Sequence, residues 1–485
     1  MDQSLEGALQ GRGLASRLVT NSAVQLAGTL LASGISFFTF VAVARKLGPA
    51  AYGDLTAALV YLFVPAVLAD VGLSATVVRR ISAEPAETES ALGASLPLRA
   101  LVALGLTGVF VGAAYALPFD DRTRVAILIA SVGTLATLLN GALNPVFQAR
   151  LQMHWPVIAT VAGRMLTLGL TYAAIAAGLG FKAIVWAAVA GSVASLFVML
   201  LLVVSVLHVR LVPRVDLAYW RTLIRGGIVL GAAIALGQLY FRIDTVLLAL
   251  FRSSREVGLY GASYKFLEIA VIAPFAVLNS LFPTFSRFLR TGDTRIRPLA
   301  QKAFDAGIAV AVPLTVLAIA FARDIVTLTA GDRYAGGAAA LKLLAPYLAA
   351  TFLLTPALAL LMAHGAYRTL LVLNVALLVL NVALNVVFIP PFGYKAAAVT
   401  SVASEVLSLI LLTVAARRRA GFLPNLRAVP TVLLGAAAMV GVILLAPGPA
   451  IVGAAAAGVA YAAVVAALPG TVRDVLGELA GRSTA

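Results

Sequence analysis

The sequence contains no cysteine and only three histidines among its 485 residues. The lack of cysteine excludes disulfide frameworks, thiolate metal sites and cysteine nucleophiles. His154, His208 and His364 are predicted near the ends of different helices, and their spacing does not indicate a metal site. The chain has no Walker phosphate-binding loop, which argues against transport driven by ATP. We therefore expect neither an enzyme nor a bound cofactor.

Charged residues are also scarce. They make up 12% of the chain, whereas about 25% is usual in soluble proteins. Hydrophobic residues make up 61%, and the mean hydropathy is +1.01. A chain of this composition cannot cover its surface with polar groups in water, so lipid is the implied solvent. The net charge of +16 comes from basic residues between apolar segments, where lipid headgroups and the orientation rule account for them. We expect membrane lipids, and no nucleic acid, as partners.

Long apolar runs predict an all-α polytopic membrane protein of about fourteen transmembrane helices. Each span requires ~20 residues, and backbone polar groups in lipid must form hydrogen bonds within the segment. The predicted spans are 18–44, 53–78, 95–117, 123–143, 156–178, 182–207, 225–250, 257–284, 299–322, 336–363, 369–389, 395–416, 429–446 and 450–468.

The distribution of Lys and Arg predicts the orientation. With an even number of spans, 22 of these residues lie on the side of the N-terminus and 10 on the other side. Because cytoplasmic loops carry the excess of basic residues, both termini are expected in the cytoplasm, and the protein in the cytoplasmic (inner) membrane.

Short internal repeats predict two related halves. Ala51-Tyr52-Gly53 follows the first span and Leu259-Tyr260-Gly261 follows the seventh; Gly180-Phe181-Lys182 precedes the sixth and Gly393-Tyr394-Lys395 the twelfth. Both halves start inside, so we expect two parallel six-helix lobes, as in transporters. A duplicated scaffold without a transport path is the alternative.

The repeats also predict domain bounds. These are a cytoplasmic N-terminal segment (1–17), an N-terminal lobe (18–207), a cytoplasmic linker (208–224), a C-terminal lobe (225–416), a basic cytoplasmic loop (417–428), two extra helices (429–468) and a cytoplasmic tail (469–485).

Ionisable residues inside the spans are the first candidates for a site, because each costs ~2.5–3.5 kcal/mol when it faces lipid at mid-span. Asp70 and Lys342 lie near helix ends, where their side chains are expected to reach the headgroup region. The others are Arg164, Arg242, Asp244, Lys265, Glu268, Asp305 and Glu405.

Several ordered motifs resemble those of a known family. They are Leu47-Gly48-Pro49-Ala50-Ala51-Tyr52-Gly53, Asp70-Val71-Gly72-Leu73, Arg79-Arg80, Tyr240-Phe241-Arg242-Ile243-Asp244, Glu256-Val257-Gly258-Leu259-Tyr260, Asn381 to Asn385, Ile389-Pro390 and Gly393-Tyr394. Over residues 18–416 the chain resembles the Wzx-type polysaccharide flippases of the multidrug/oligosaccharidyl-lipid/polysaccharide exporter superfamily. The resemblance implies fourteen helices in two lobes and a lipid-linked oligosaccharide, carried on polyprenyl diphosphate, as cargo. It also implies that other polysaccharide-assembly proteins are possible partners.

We hypothesise that Arg242, Lys265 and Arg164 line a cavity between the lobes. Fixed cations there would replace the hydration that a diphosphate loses in the membrane. Asn21 and Gln25 on the first helix are candidates for hydrogen bonds to sugar hydroxyls, although packing between helices is an alternative role.

The acidic residues have two possible roles. Asp244 and Glu268 are predicted to hold the cations in place or to exchange Na⁺ or H⁺ for coupling, and Asp305 and Glu405 join this group of charge-pairing candidates. Lys265 and Glu268 share a helix face at i,i+3, and Asp244 lies at a depth where it could meet Lys265. A purely structural cluster of ion pairs is the alternative.

Three other functions remain open. A lipid II-type flippase is hard to distinguish from the first hypothesis, and a multidrug or cation antiporter would need an acidic excess in its cavity. A membrane glycosyltransferase would need a sizeable loop outside the membrane, whereas the longest predicted loops are short.

Overall fold

The computed structural model describes residues 3–70, 72–445 and 449–468, with side chains from residue 24 onward except those of residues 85, 229, 230 and 233. Within these ranges the chain is helical, without a β-strand. The predicted all-α fold class is confirmed. The chain divides into two compact units, residues 1–242 and 243–485. The domain bounds drawn from the sequence stay predictions.

In the part of the first unit that the structure describes, there are seven helices and a short 3₁₀ turn at Pro85–Glu87. The helices are α1 (Gln3–Ala69), α2 (Leu73–Ala83), α3 (Thr88–Ala113), α4 (Asp121–Ala149), α5 (His154–Ala176), α6 (Phe181–Ser205) and α7 (Leu217–Tyr240).

The described residues of the second unit form ten helices and a 3₁₀ turn at Asp332–Gly337. The helices are α8 (Ile243–Phe251), α9 (Ser254–Ala270), α10 (Ile272–Thr291), α11 (Ile296–Ala320), α12 (Ala322–Ala330), α13 (Ala338–Ala363), α14 (Tyr367–Phe392), α15 (Tyr394–Ala420), α16 (Val429–Leu445) and α17 (Ala450–Ala467).

Eleven helical stretches of the described residues are long and apolar enough to span a membrane, or twelve if a bent pair is one span. The chain is therefore a multi-pass membrane protein, but the predicted number of fourteen is not confirmed. One reason is that Val24–Ala69 counts once, although Gly48 interrupts α1 with φ 75° and ψ 172°. Another is that Val429–Leu445 is shorter than the other spans.

Two breaks divide predicted spans, and the first has a local cause. Pro274 has no backbone N–H to bond the carbonyl of Ala270, and α9 ends at that residue. The predicted eighth span is accordingly divided at Val271. The second break separates the end of α7 from α8, whose axes meet at 48°.

Close helix packing in the first unit depends on small residues. A Cβ atom placed on Gly163 of α5 would lie 2.5 Å from the carbonyl oxygen of Gly191 on α6. Large apolar side chains such as Leu101, Val109 and Phe197 are at least 58% exposed. This arrangement, small residues inside and large ones outside, is typical of helices in lipid.

The segment before α7 and the first turn of α7 are bound to α3. The backbone N–H of Arg214 donates to the carbonyl of Gly93 at 2.8 Å, and Trp220 Nε1 donates to that of Ala94 at 2.7 Å. Next to them, Arg80 donates to Glu87 at 2.8 Å. This hydrogen bond holds the pKa of Glu87 below its usual value. The base of α7 is thus fixed to the first unit.

Candidate functional site

The predicted site residues Arg242 and Asp244 flank the break between α7 and α8. Arg242 is half-buried, and its guanidinium carbon lies 5.8 Å from the ring centre of Phe63, which is a cation–π contact. Arg242 ends the first unit, and Asp244 belongs to the first turn of α8 in the second.

Asp244 is buried and is held by hydroxyl groups. Tyr260 and Ser401 donate to its Oδ2 atom, Ser401 at 2.8 Å, and the backbone N–H of Thr245 donates to Oδ1 at 2.6 Å. The expected approach of Asp244 to Lys265 is not observed as an ion pair among the described residues. Three helices, α8, α9 and α15, therefore converge on one carboxylate.

Lys265 and Glu268 form the ion pair that their spacing predicted. Lys265 Nζ lies 2.8 Å from Glu268 Oε2, and the side chains are 27% and 18% exposed. Partial burial of both partners reduces the screening of their attraction by solvent, while it also removes hydration from each charge. Each charge therefore already has a partner on its own helix.

Asp305 and Glu405 are buried carboxylates with polar partners in the second unit. Gln301 donates to Asp305 at 2.9 Å, and the hydroxyl of Thr351 donates to Glu405 at 2.9 Å. Gln301 also donates to the carbonyl of Asn425 at 2.9 Å, which links Asp305 to the loop after α15. These contacts lie inside the helix packing of the unit.

Within the residues that it describes, the structure shows no cluster formed by the other three residues predicted to bind substrate, Arg164, Asn21 and Gln25. Arg164 on α5 and Gln25 on α1 have exposed side chains. The side chain of Asn21 lies outside the described residues. Their roles therefore stay predictions.

Sequence reasoning missed a cavity of about 580 Å³ in the first unit, with a mainly apolar wall that also contains charged side chains. Arg99 on α3 lines it with a side chain that is only 6% exposed, while that of Asp70 is 48% exposed. Arg99 Nη2 lies 3.3 Å from Asp70 Oδ1 and 3.1 Å from Ser74 Oγ. Asp70 was expected to extend toward the headgroups, and instead it pairs with Arg99. The sequence signal was an Asp and an Arg near the ends of adjacent apolar runs.

The described residues contain no group of three or more His, Asp and Glu side chains placed to hold a metal ion. The two polar regions differ in character: the first unit presents an arginine at a cavity, and the second contains carboxylates surrounded by hydroxyl and amide groups.

Comparison with known families gives two matches. The family described as polysaccharide biosynthesis protein matches residues 18–289, which is more than half of the chain. The MatE family matches residues 230–387.

Among curated proteins, the chain is 26% identical over 207 residues to a probable flippase, AglR, of Haloferax volcanii. The alignment covers 41% of this chain and 43% of that protein, so it spans less than half the length of either.

Solved structures share the fold. A structure of the lipid II flippase MurJ in an inward closed conformation has a TM-score of 0.80 at 12% identity, over 94% of this chain and all of that one. An inward-facing multidrug resistance transporter of the MATE family and MOP superfamily has a TM-score of 0.66 at 16% identity, over 82% of this chain and 98% of that one. A MOP superfamily transporter from Pyrococcus furiosus has a TM-score of 0.61, also at 16% identity, over 84% and 95%. The chain shares the fold of these three structures. The match to the polysaccharide biosynthesis protein family agrees with the prediction that the chain is not an enzyme.

Proposed function

Because the chain belongs to the polysaccharide biosynthesis protein family, we propose that it is a flippase that moves a polyprenyl-diphosphate-linked oligosaccharide across the cytoplasmic membrane for cell-surface polysaccharide biosynthesis. The observation that carries this proposal is the family match over residues 18–289. The partial likeness to a probable flippase supports the same activity.

In this proposal the protein works by alternating access, with the two units as the moving bodies and both termini in the cytoplasm. Its partners are the lipid-linked cargo, the surrounding lipids and other polysaccharide-assembly proteins. The excess of basic residues on the side of the N-terminus supports this orientation.

We assign the diphosphate of the cargo to Arg242, Lys265 and Arg164. A diphosphate that leaves water needs fixed cations and hydrogen-bond donors in place of its hydration shell. Arg242 is half-buried against Phe63, and Arg164 is exposed on an apolar helix. Lys265 is paired with Glu268, so the cargo must compete with that carboxylate.

For coupling, Asp244 is the proposed exchanger of Na⁺ or H⁺. A buried carboxylate in a membrane helix commonly marks an ion pathway. The described residues give Asp244 no cationic partner, and the hydroxyl oxygens of Tyr260, Ser401 and Thr245 are ligands that suit a hard cation. Asp244→Asn should abolish stimulation of transport by the coupling gradient and retain the slow transport seen without a gradient.

The lipid II-type flippase is the second candidate, because the fold agrees with that of MurJ at a TM-score of 0.80. A multidrug or cation antiporter is the third, on the MatE match over residues 230–387. The three differ in the cargo that they move.

The deciding experiment reconstitutes the purified protein into liposomes and measures translocation of three cargoes: an undecaprenyl-diphosphate-linked oligosaccharide, lipid II and a lipophilic cationic dye. The proposal expects the first cargo to move fastest. Arg242→Gln and Lys265→Gln should each slow it at least tenfold, whereas the exposed Arg418→Gln should not. Movement of the dye alone would contradict the flippase, and movement of lipid II alone would favour the second candidate. Undiminished transport in both variants would refute the cationic assignment.

A further inference from the structure

The cavity of the first unit contains an arginine whose hydrogen-bonding capacity is only partly used. A guanidinium has five N–H donors. Within the described part of the chain, that of Arg99 reaches two acceptors, Asp70 and Ser74, both through Nη2. Its Nε is buried and has no partner among the described residues. Burial of an unsatisfied cationic donor is costly. Nη1 also makes no hydrogen bond within the described residues, so Arg99 retains donors for an acceptor that enters from the cavity.

The cavity has the size and lining of a ligand site. Its volume of about 580 Å³ falls within the roughly 300–1,000 Å³ of small-molecule pockets. Thr137, Gln148 and Gln238 add polar groups to the wall, and Phe63 and Ile234 contribute apolar surface. This combination suits a ligand with a charged group, hydroxyl groups and a short apolar portion.

The asymmetry of the Arg99–Asp70 pair indicates how a ligand enters. The carboxylate of Asp70 is about half exposed, whereas the guanidinium is almost fully buried. Ser74 Oγ donates to Asp70 at 2.8 Å and holds the carboxylate near Arg99. An incoming anion thus competes with the more exposed Asp70 for the guanidinium, and Arg99 offers a phosphate its planar fork of donors.

We propose that the cavity lined by Arg99, Asp70 and Ser74 is a binding site for the phosphorylated sugar headgroup of the cargo, separate from Arg242, Lys265 and Arg164. This inference rests on the proposed flippase function. Residues 70 and 99 lie toward the predicted cytoplasmic ends of their helices, so the site receives the headgroup before translocation. Arg99 binds the phosphate, and the amide and hydroxyl groups of the wall bind the sugar.

Gly141 offers a way to close the cavity without altering Arg99. It lines the cavity, and a Cβ atom built on it meets nothing within 4 Å. The Gly141→Phe side chain therefore has open space to occupy. Gly105 on α3 is likewise free of neighbours within 4 Å and does not line the cavity, so Gly105→Phe is the matched control.

The test measures binding of geranyl-diphosphate-linked N-acetylglucosamine to the purified full chain in nanodiscs. Two partial probes are used for comparison. Octyl glucoside lacks the diphosphate, and inorganic pyrophosphate lacks both the sugar and the lipid. Arg99→Gln and Gly141→Phe should raise the Kd of the complete probe at least tenfold. Gly105→Phe and the exposed Arg150→Gln should leave this Kd within twofold of the value for the unaltered protein. Octyl glucoside should bind at least tenfold more weakly than the complete probe.

Asp70→Asn separates binding from a structural role. Removal of the competing carboxylate should lower the Kd of the complete probe at least threefold. If the ion pair were purely structural, this variant would bind the probe no more tightly than Arg99→Gln does. Equal binding by Gly141→Phe and Gly105→Phe would overturn the proposal, even if Arg99→Gln failed to fold. If Gly141→Phe bound the probe normally and still moved long-chain cargo in liposomes, the site would be wrong and the flippase function would stand. Absence of translocation by the unaltered protein would instead count against the function.

Discussion

Ser401 Oγ donates a hydrogen bond of 2.8 Å to the buried carboxylate of Asp244, and so links α15 to α8 across 157 positions of the sequence. Tyr260 donates to the same oxygen atom from α9. Because a buried carboxylate costs free energy unless it is hydrogen-bonded, these hydroxyls stabilise the packing of the three helices.

Ser401→Ala should lower the free energy of unfolding by about 1–3 kcal/mol, because a buried acceptor loses a donor. Thermal unfolding in detergent measures the change. Ser280→Ala is the matched control, since Ser280 is exposed and its one hydrogen bond among the described residues goes to the carbonyl of Ala276 in its own helix. Equal transition temperatures in the two variants would show that Ser401 does not stabilise Asp244.

The pair Lys265–Glu268 can be tested for its role by a double-mutant cycle. If the lysine contacts the cargo, Glu268→Gln should retain transport, because it frees the ammonium group from its partner. The double variant Lys265→Gln/Glu268→Gln should then be as slow as Lys265→Gln alone. Recovery of transport in the double variant would mean instead that the pair only stabilises α9. The readout is the rate of glycolipid translocation at equal amounts of reconstituted protein.

Gly72→Ala should destabilise the first unit far more than Gly178→Ala. Both glycines have a positive φ, 70° and 67°, which costs other residues about 1–2 kcal/mol. A Cβ atom on Gly72 would also lie 2.0 Å from the carbonyl oxygen of Gly227 on α7, whereas one on Gly178 meets nothing within 4 Å. This overpacking should add about 1–3 kcal/mol.

The comparison is made by thermal unfolding of both variants in the same detergent. Because the backbone strain is matched, the difference between them measures the contact of the α1–α2 turn with α7. Similar transition temperatures would mean that α7 does not pack against Gly72.

The absence of cysteine allows the orientation to be tested by labelling single introduced cysteines. Asp121, whose side chain is 97% exposed, begins α4 on the predicted outer side, and the exposed Arg418 ends α15 on the predicted inner side. In intact cells a membrane-impermeant maleimide should label Asp121→Cys and spare Arg418→Cys, which should react after permeabilisation. The opposite pattern would reverse the proposed orientation of the chain.

Much of the fold could be read from the sequence because lipid imposes simple rules. Apolar runs have to be helices, and the helices α3 to α6 begin and end within several residues of the predicted spans. Pro274 has no backbone N–H to donate, and α9 ends four residues before it. The first two spans were harder to separate, because Gly48 interrupts a helix that continues on both sides.

The partners of the charged residues were less accessible. The i,i+3 spacing of Lys265 and Glu268 correctly indicated a pair, since one helix fixes their distance. No such local rule exists for Asp244, whose donors Tyr260 and Ser401 come from other helices. Helical depth alone suggested Lys265 for this carboxylate, but the rotation of each helix about its axis determines which side chains meet.

The sequence by itself determined that this chain is a helical, multi-pass membrane protein, because its composition leaves no other solvent than lipid and its apolar runs leave no other secondary structure. Only the tertiary structure decided that Arg99 lines a cavity beside Asp70 and that Asp244 is surrounded by hydroxyls. The physical reason is that membrane insertion depends on the hydrophobicity of each segment alone, whereas a polar site depends on how several segments turn toward one another.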